Sequence, residues 1–374
     1  MILPYPCPPD PSDSLAIAWG ALEQAEPWVA PMASCPQDPE HHAEGDVWTH
    51  TKMVCEALVA LPAWQALPPV DREVVFAACL LHDIAKPATT RIDDDGRIRQ
   101  PGHSPRGALM VREMLWLLGA PPESRERVAA LVRTHQIPFF LIEEKDPRRR
   151  AAQISQTVRC DHLAQVTLAD ALGRICRDQQ RLLDNIALFT EFCAEHGCLA
   201  QPWPFASDHS RFLYFRNPDR DPGYAAHDDT RCEMVLMSGL PGSGKDHWIA
   251  HNTDLPVISL DALRETMDAA STGNQGAVIQ AAREQAREYL RRGQSFVWNG
   301  TNLSRDMRGR AIELAAAYNA RIRVVFLDTT YKRLVRQNRD RGATVPLAAI
   351  LRMLRLWEPP DLSEAHRVDW IVQS

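Results

Sequence analysis

Residues 239–246 read Gly-Leu-Pro-Gly-Ser-Gly-Lys-Asp and follow, after Ser238, the apolar run 234–237, Met-Val-Leu-Met. The pattern Gly-x-x-x-x-Gly-Lys is informative when a strand precedes it and a helix follows it, as the sequence predicts here. Glycines let the backbone curl so that its amide groups point at phosphates, and the helix N-terminus adds partial positive charge. The stretch therefore predicts a phosphate-binding loop formed by Gly239, Gly242, Ser243, Gly244, Lys245 and Asp246.

The last residue of this loop departs from the usual pattern. Asp246 stands where Ser or Thr is common, while Lys245 is placed to reach the outer phosphates of a nucleoside triphosphate. A carboxylate can bind Mg²⁺ directly or through water, although it also adds negative charge near the phosphates. We expect ATP and Mg²⁺ as cofactors of this half of the chain.

Short apolar runs alternate with helical periodicity around this loop. Further runs suited to buried strands occur at 257–260, 296–298, 324–327 and 370–372, with helical stretches at 263–267, 276–292, 305–318 and 331–341. Alternating strands and helices predict a parallel sheet covered on both faces. The fold class expected for residues 231–374 is therefore an α/β P-loop kinase domain with a parallel sheet.

The upstream part of the chain has a different periodicity. Residues 44–199 are predicted to be almost wholly helical, with apolar residues at spacings of three and four in 47–61, 72–81, 108–118 and 125–132. We place an all-α domain at 1–200. The proline-rich stretch 201–230 is predicted to be an irregular connector or a capping segment.

Composition limits the class of protein. A length of 374 residues suggests two domains, and a formal net charge of −6 excludes a basic nucleic-acid coat. Nine cysteines without a Cys-x-x-Cys pair argue against a zinc knuckle and favour free thiols in a reducing compartment. We find no secretory signal and no apolar run of about 20 residues, so we expect a cytoplasmic protein without a membrane partner.

Two further features of the C-terminal half suggest phosphoryl transfer. Asp261 follows the second predicted strand, where it faces the ligand crevice and can accept a proton, or alternatively caps the helix that starts near Ala262. Arg336, Arg339 and Arg341 precede Thr344 and could close over a transferring phosphoryl group. The alternative for these arginines is a solvated helix face.

Six residues of the N-terminal half form an ordered set of possible metal ligands: His50, His82, Asp83, His103, His135 and Asp170. Each histidine alone suits a surface or capping role, but imidazoles with shared carboxylates suit Mn, Fe, Co, Ni or Zn. Two ions bridged by one carboxylate can generate hydroxide and bind the leaving oxygen. His41, His42 and His162 lie outside the set, and Asp161 is a rival to Asp170 as its last member.

The C-terminal motifs resemble those of the 5′-OH polynucleotide kinases across residues 231–374. The glycine loop, the Asp261-x-x-Arg264 pair and the arginine-rich segment carry this resemblance. It implies that Asp261 is the general base and that Arg264 contacts the phosphate of the acceptor strand. Lys245, Arg336 and Arg339 complete the catalytic residues that we predict for the transfer.

The N-terminal set resembles that of the HD-domain phosphohydrolases across residues 40–190. This resemblance implies one metal ion held by His50, His82, Asp83 and Asp170, and a second held by Asp83, His103 and His135. It also places Lys86, within Ala-Lys-Pro, near the substrate phosphate. The sequence Leu-Ala-Asp-Ala-Leu-Gly-Arg around Asp170 is similar to the closing motif of the family and favours Asp170 over Asp161.

In this order the two halves resemble the bacterial HD-domain–polynucleotide kinase fusions. That resemblance implies a kinase for 5′-OH ends and an HD module that opens 2′,3′-cyclic phosphates and removes a terminal phosphate, chiefly from the 2′ position. The expected partners are RNA or DNA ends, and sealing them would need a separate ligase. Two alternatives remain: a small-nucleotide phosphohydrolase fused to a metabolite kinase, and an ATP sensor that regulates the hydrolase. Asp261 and Arg264 argue against the sensor, which needs no acceptor base.

Overall fold

The computed structural model describes residues 16–267, 275–340 and 345–373. The chain divides after Pro204 into two compact units, 1–204 and 205–374. No helix in the described parts of the chain is both long enough and apolar enough to cross a membrane.

The first unit is helical apart from a small antiparallel hairpin of β1 (Arg91–Ile92) and β2 (Ile98–Arg99). Two short 3₁₀ helices lie at Ile137–Phe139 and Leu141–Glu143. The α-helices are α1 (Trp19–Ala25), α2 (Val29–Ala33), α3 (Val47–Val59), α4 (Pro62–Gln65), α5 (Pro69–Leu81), α6 (Lys86–Thr89), α7 (His103–Leu117), α8 (Pro122–Thr134), α9 (Pro147–Ile154), α10 (Cys160–Leu172) and α11 (Gln179–Glu195).

Helix α5 is the centre of this unit. Its residues from Val74 to Leu81 are all buried, as expected for a helix that is apolar on every side. It packs against α3, α8 and α10. Helix α3 starts at Asp46, whose carboxylate accepts the amides of Trp48 and Thr49 at 2.9 Å each. These contacts bring the ends of several helices to one buried point.

The second unit is built on one five-stranded sheet. The strands are β3 (Cys232–Ser238), β4 (Val257–Ser259), β5 (Phe296–Asn299), β6 (Ala320–Thr329) and β7 (Arg367–Gln373). All neighbouring pairs are parallel, in the order β4-β5-β3-β6-β7. The helices are α12 (Asp208–Arg216), α13 (Lys245–Asn252), α14 (Leu260–Thr266), α15 (Gln275–Arg291), α16 (Arg305–Ala316), α17 (Tyr331–Arg339) and α18 (Leu347–Leu354).

Both faces of this sheet are covered, as the strand and helix pattern predicts. Met234 and Leu236 of β3 lie in one apolar cluster with helix residues such as Ile312. Val235 and Met237 point to the opposite face and pack with Ile249 of α13. Strand β3 has β5 on one side and β6 on the other, so the chain changes direction around it. In such sheets ligands bind at the carboxyl ends of the strands, beside this change.

The stretch predicted as a connector or capping segment is mostly part of the second unit. It contains α12, and Phe212 of that helix is buried in the same cluster as Met234 and Leu236. Arg211 donates to Leu362 O at 2.9 Å and to His366 O at 2.6 Å. The stretch 201–230 thus contains a regular helix, α12, that packs on the apolar cluster of the second unit.

Candidate metal centre and nucleotide site

The six predicted metal ligands meet at one buried point of the first unit. His50 lies within α3, His82 and Asp83 directly follow α5, and His103 begins α7, while His135 follows α8 and Asp170 lies near the end of α10. All six side chains are buried. Helices that are far apart in sequence thus converge their ends on one site.

The Asp83 carboxylate is at the centre of this cluster. Its Oδ2 lies 3.1 Å from His82 Nε2 and 3.8 Å from His50 Nε2. Its Oδ1 lies 3.3 Å from His103 Nε2 and 3.9 Å from His135 Nε2. The two oxygens therefore divide the histidines into two pairs, as a carboxylate that bridges two ions requires. The ligand atoms form two groups of three that meet at Asp83.

Hydrogen bonds at the far side of each ring fix the tautomer of three histidines. The Nδ1 atoms of His82, His103 and His135 lie 2.7–2.8 Å from backbone carbonyls three residues earlier. Because a carbonyl only accepts, each Nδ1 carries the hydrogen and each Nε2 presents a lone pair to the cluster. Metal-ligating histidines are typically oriented in this way.

The geometry of the donor atoms fits metal ions. Among the described residues, Nε2 of His50, His82 and His103 makes no well-directed hydrogen bond. The carboxylate oxygens beside these atoms are 3.1–3.8 Å away. Two ligand atoms each about 2.1 Å from one ion and at a right angle are about 3 Å apart. The spacing therefore suits ions between the atoms better than direct contacts.

Electrostatics favour the protonation states that metal binding needs. Burial alone would raise the pKa of Asp83, but His82 and Lys86 hold it well below its usual range. Burial lowers the pKa of His135 to about 3 and also lowers the pKa of His103. The site thus combines an ionised Asp83 with neutral His103 and His135, as metal ligation requires, whereas burial alone would lower the pKa of His82 but the neighbouring Asp83 raises it.

The structure places Asp170, and not its rival Asp161, in the cluster. Asp170 Oδ1 lies 3.1 Å from His50 Nε2, and Arg174 donates to both Asp170 oxygens at 2.8 and 2.7 Å. Burial would raise the pKa of Asp170, but Arg174 holds it well below its usual range. Asp161 instead pairs with Arg159 at 2.6 Å. It lies nine residues before Asp170 and therefore about 13 Å away from it along the helix.

Lys86 is buried beside the cluster, as the resemblance implies. Its Nζ lies 2.7 Å from Asp83 Oδ2 and donates to Gln37 Oε1 at 2.6 Å. Sequence reasoning missed Gln37, Glu44 and Arg174. The spacing of four between Asp170, near the end of α10, and Arg174, just after it, was a usable signal. Gln37 and Glu44 gave none, because their partners lie far along the chain or on a different element.

The glycine loop has the conformation that its sequence predicts. Gly239, Gly242 and Gly244 have φ values of 149°, 80° and 86°. A Cβ on Gly239 would lie 2.7 Å from Ser243 Oγ and 2.8 Å from Leu327 O, so only glycine fits. Lys245 Nζ donates to Gly239 O and to Leu240 O, both at 3.0 Å. The lysine is thus folded back over its own loop.

Asp246 is connected to the end of a neighbouring strand. Its Oδ1 accepts a hydrogen bond from Asn299 Nδ2 at 2.7 Å. The loop after β5 makes two further hydrogen bonds at the base of the glycine loop. Thr301 O accepts from Gly239 N at 2.9 Å, and Asn302 Nδ2 donates to Met237 O at 2.7 Å. The carboxylate therefore sits at the carboxyl edge of the sheet, held by an amide and not by a cation.

The cap role considered for Asp261 is wrong. Helix α14 begins at Leu260, and Ser259 Oγ accepts the Ala262 amide at 3.3 Å, so Ser259 is the cap. Asp261 is ion-paired with Arg264, and its side chain is 79% exposed. This carboxylate is therefore free of any helix-capping duty and accessible to an acceptor.

The arginine-rich segment lies next to the glycine loop only in part. Arg336 and Arg339 are exposed on α17, whereas Asn338 on the same helix is buried. Asn338 lies against Gly242 and bonds both Val345 N at 3.0 Å and Val345 O at 2.7 Å. Arg341, the third arginine predicted to close over a phosphoryl group, lies outside the described residues.

Comparisons with known proteins agree with this two-part architecture. The HD domain family model matches residues 47–174, and the model of an AAA domain family, AAA_33, matches residues 234–360. The match to the HD domain thus falls in the helical unit, and the match to the AAA domain falls in the unit built on the parallel sheet.

Relatives match limited parts of the chain. A "Multifunctional CCA protein" of Halorhodospira halophila is 35% identical over 116 residues, covering 31% of this chain and 25% of that protein. A "CC-adding tRNA nucleotidyltransferase" of Thermus thermophilus is 38% identical over 132 residues, covering 35% of this chain and 28% of that protein. The chain thus spans roughly a quarter of the length of these relatives. The crystal structure of a presumed kinase from Chloroflexus aurantiacus matches at 21% identity and a TM-score of 0.32, covering 38% of this chain and 86% of that one.

We predict that Asp170→Asn lowers the number of transition-metal ions that the protein retains after dialysis, because a neutral amide loses the charge that attracts the ion. The matched change Asp161→Asn should leave metal content unchanged. Elemental analysis of both proteins checks this, with circular dichroism as the control for folding. Retention by Asp170→Asn together with loss by Asp161→Asn would reverse the assignment.

Proposed function

We propose that this chain is a bifunctional enzyme that heals broken nucleic-acid ends. The C-terminal domain is an ATP-dependent 5′-OH polynucleotide kinase, and the N-terminal domain is a metal-dependent 2′,3′-cyclic phosphodiesterase and 2′(3′)-phosphatase. The observation that carries the proposal is the presence on one chain of the Asp83-centred ligand cluster and of a P-loop with an exposed Asp261–Arg264 pair. A substrate with two ends explains why both chemistries are joined.

In the hydrolase, residues of the first unit prepare the site before substrate binds. Bound metal ions would supply hydroxide at neutral pH and neutralise the phosphate. Asp83 bridges the two ligand groups, and Arg174 keeps Asp170 ionised and in place. Lys86, 2.7 Å from Asp83 Oδ2, is the nearest cation able to donate to a phosphate oxygen at the edge of the cluster.

In the kinase, the groups must rearrange when ATP binds. Lys245 leaves the carbonyls of Gly239 and Leu240 and turns to the outer phosphates. The 5′-oxygen then forms a bond to the γ-phosphorus, the bond from this phosphorus to the β–γ bridging oxygen breaks, and ADP leaves. Asp261 takes the proton of the hydroxyl, while Arg264 faces the acceptor phosphate. Arg336 and Arg339 offset charge on the transferring group.

The partners follow from this chemistry and are RNA or DNA ends, with sealing left to a separate ligase. A net charge of −6 suits recognition of a terminus rather than of a long polyanion. One relative is named for its action on tRNA, which is consistent with an RNA substrate for this chain.

One assay tests the proposal against its alternatives. The pure protein is incubated with an RNA oligonucleotide that carries a 5′-OH and a 2′,3′-cyclic phosphate, with ATP and a series of divalent metals, and both ends are mapped. Modification of both ends, at a rate that rises with oligonucleotide length, supports end healing. Preference for mononucleotides would favour the metabolite enzymes, and hydrolysis that responds to ATP without phosphate transfer would favour the sensor.

We predict that the two activities separate by mutation, because each set of residues lies within its own unit. Asp83→Ala should abolish phosphate removal and leave 5′-phosphorylation intact, whereas Lys245→Ala should do the reverse. End-labelled oligonucleotides resolved by electrophoresis report both activities in one reaction. Loss of both activities in either folded variant would contradict independent sites.

Metal removal should also distinguish the two units. After treatment with a chelator, Mg²⁺ should restore the kinase, since Mg²⁺ prefers oxygen ligands. The hydrolase should instead need a transition metal, because four of its six proposed ligands are imidazoles. Full recovery of hydrolysis with Mg²⁺ alone would contradict the assignment of these histidines.

Asp261→Asn should lower kinase turnover by about 10²–10⁴-fold, since asparagine cannot accept the proton. The thermal midpoint should not change, because Ser259 and not Asp261 caps α14. Ser259→Ala is the matched control, with a loss of about 0.5–2 kcal/mol of stability and a nearly normal kinase rate. Near-normal turnover in Asp261→Asn would point to another base, with Asp246 the first candidate.

A further inference from the structure

Glu44 lies behind the metal cluster, in the segment before α3. Its carboxylate is buried, and its Oε1 is 2.9 Å from the Nδ1 of His50, on the side of the ring that faces away from Asp83. The same oxygen accepts a hydrogen bond from His42 Nδ1 at 2.7 Å. Neither Glu44 nor His42 belongs to the predicted ligand set.

His50 needs an acceptor that the other three histidines find locally. His82 and His135 directly follow helices and His103 begins one, so carbonyls three residues earlier are available to their Nδ1 atoms. His50 lies inside α3, where Asp46 O accepts the His50 amide and Val47 O also accepts Thr51 Oγ1. Its Nδ1–H must therefore find a partner outside the helix.

Two acceptors outside the helix lie near this hydrogen. It is directed at Gly173 O, which is 3.3 Å from Nδ1 and therefore a long contact, while Glu44 Oε1 is closer at 2.9 Å. An ionised carboxylate at this distance is the stronger of the two partners.

The backbone holds the carboxylate in place. Ile175 N donates to Glu44 Oε2 at 2.9 Å, and Ala43 N donates to Ile175 O at 2.9 Å. Ile175 follows Asp170 on the loop that leaves α10, so one short contact fixes both the ligand on α3 and the ligand on α10. Gly173 allows the close approach, since a Cβ there would lie 2.7 Å from Val54 N.

We infer that Glu44 is a positioning residue of the metal centre. As the carboxylate partner of His50 it holds the ring with Nε2 towards the cluster and raises the basicity of that atom, so it strengthens binding at the ion position shared by His50, His82, Asp83 and Asp170. Loss of such a partner typically lowers metal affinity about 10–100-fold. The position shared by His103 and His135 depends on backbone carbonyls and is not affected. This inference rests on the proposed metal-dependent hydrolase.

The test is direct metal binding by the full chain. Metal-free wild type, Glu44→Gln and Glu40→Gln are titrated with Zn²⁺ in competition with a chromogenic chelator, and with Co²⁺, whose visible absorption reports its ligands. Glu40 is the matched acid-to-amide control, since it is exposed and lies four residues earlier. We expect Glu44→Gln to weaken one of two ions about 10–100-fold, to spare the other, and to leave the thermal midpoint of the metal-free protein unchanged.

Two outcomes overturn the inference. In the first, Glu44→Gln binds both ions with affinities within about twofold of wild type. In the second, it binds both ions equally more weakly and its metal-free form has a lower thermal midpoint, which would make Glu44 a purely structural contact. If Glu44→Gln does not fold, Glu44→Asp, which keeps the charge but withdraws it from His50, is judged by the same criteria. A wild-type protein that binds no transition metal refutes the proposed hydrolase itself, whereas a wild type that binds two ions with an unaffected Glu44 variant refutes only this inference.

Discussion

The buried charge of Asp83 is the constraint on which the first unit depends. A lone carboxylate in an apolar core costs several kcal/mol and would normally take up a proton. Here Lys86 lies 2.7 Å away, and four imidazoles surround the two oxygens within 4 Å. Helix α5, which is buried from Val74 to Leu81, places this charge at the centre of the unit. The other helices therefore pack with polar residues near their ends around Asp83.

Most of the residues of this site therefore lie at or near the ends of helices. The carbonyls before His82 and His135 lie in the last turns of helices, where they are free to orient the rings. His50 is the exception within a helix: its Nδ1–H is directed at Gly173 O at 3.3 Å, and the Glu44 carboxylate lies nearer, at 2.9 Å. The same physical need, an acceptor for Nδ1–H, thus explains both the local pattern and its one departure.

The sequence predicted this architecture well where the signal was local or ordered. The alternation of apolar runs predicted all five strands of the parallel sheet, and the six histidines and aspartates singled out as possible ligands lie together in the structure. It was wrong about Asp261 as a cap, because α14 starts two residues earlier than its apolar pattern suggests. Gln37 could not be predicted, since its contact with Lys86 arises only when segments distant in sequence pack side by side, and Glu44 could not, since it lies in the irregular segment before α3, where no periodicity shows which way a side chain points.

The two candidate sites solve opposite electrostatic problems. On the proposed function, the first unit buries its own negative charge and must gain cations, whereas the second keeps Lys245, Arg336 and Arg339 for an anion that arrives with the substrate. Imidazole ligands favour transition metals over Mg²⁺, and an oxygen-rich nucleotide site favours Mg²⁺. On the proposed function, this difference in ligand chemistry lets both reactions run in one solution, because Mg²⁺, a poor match for imidazole ligands, does not displace the ions held around Asp83.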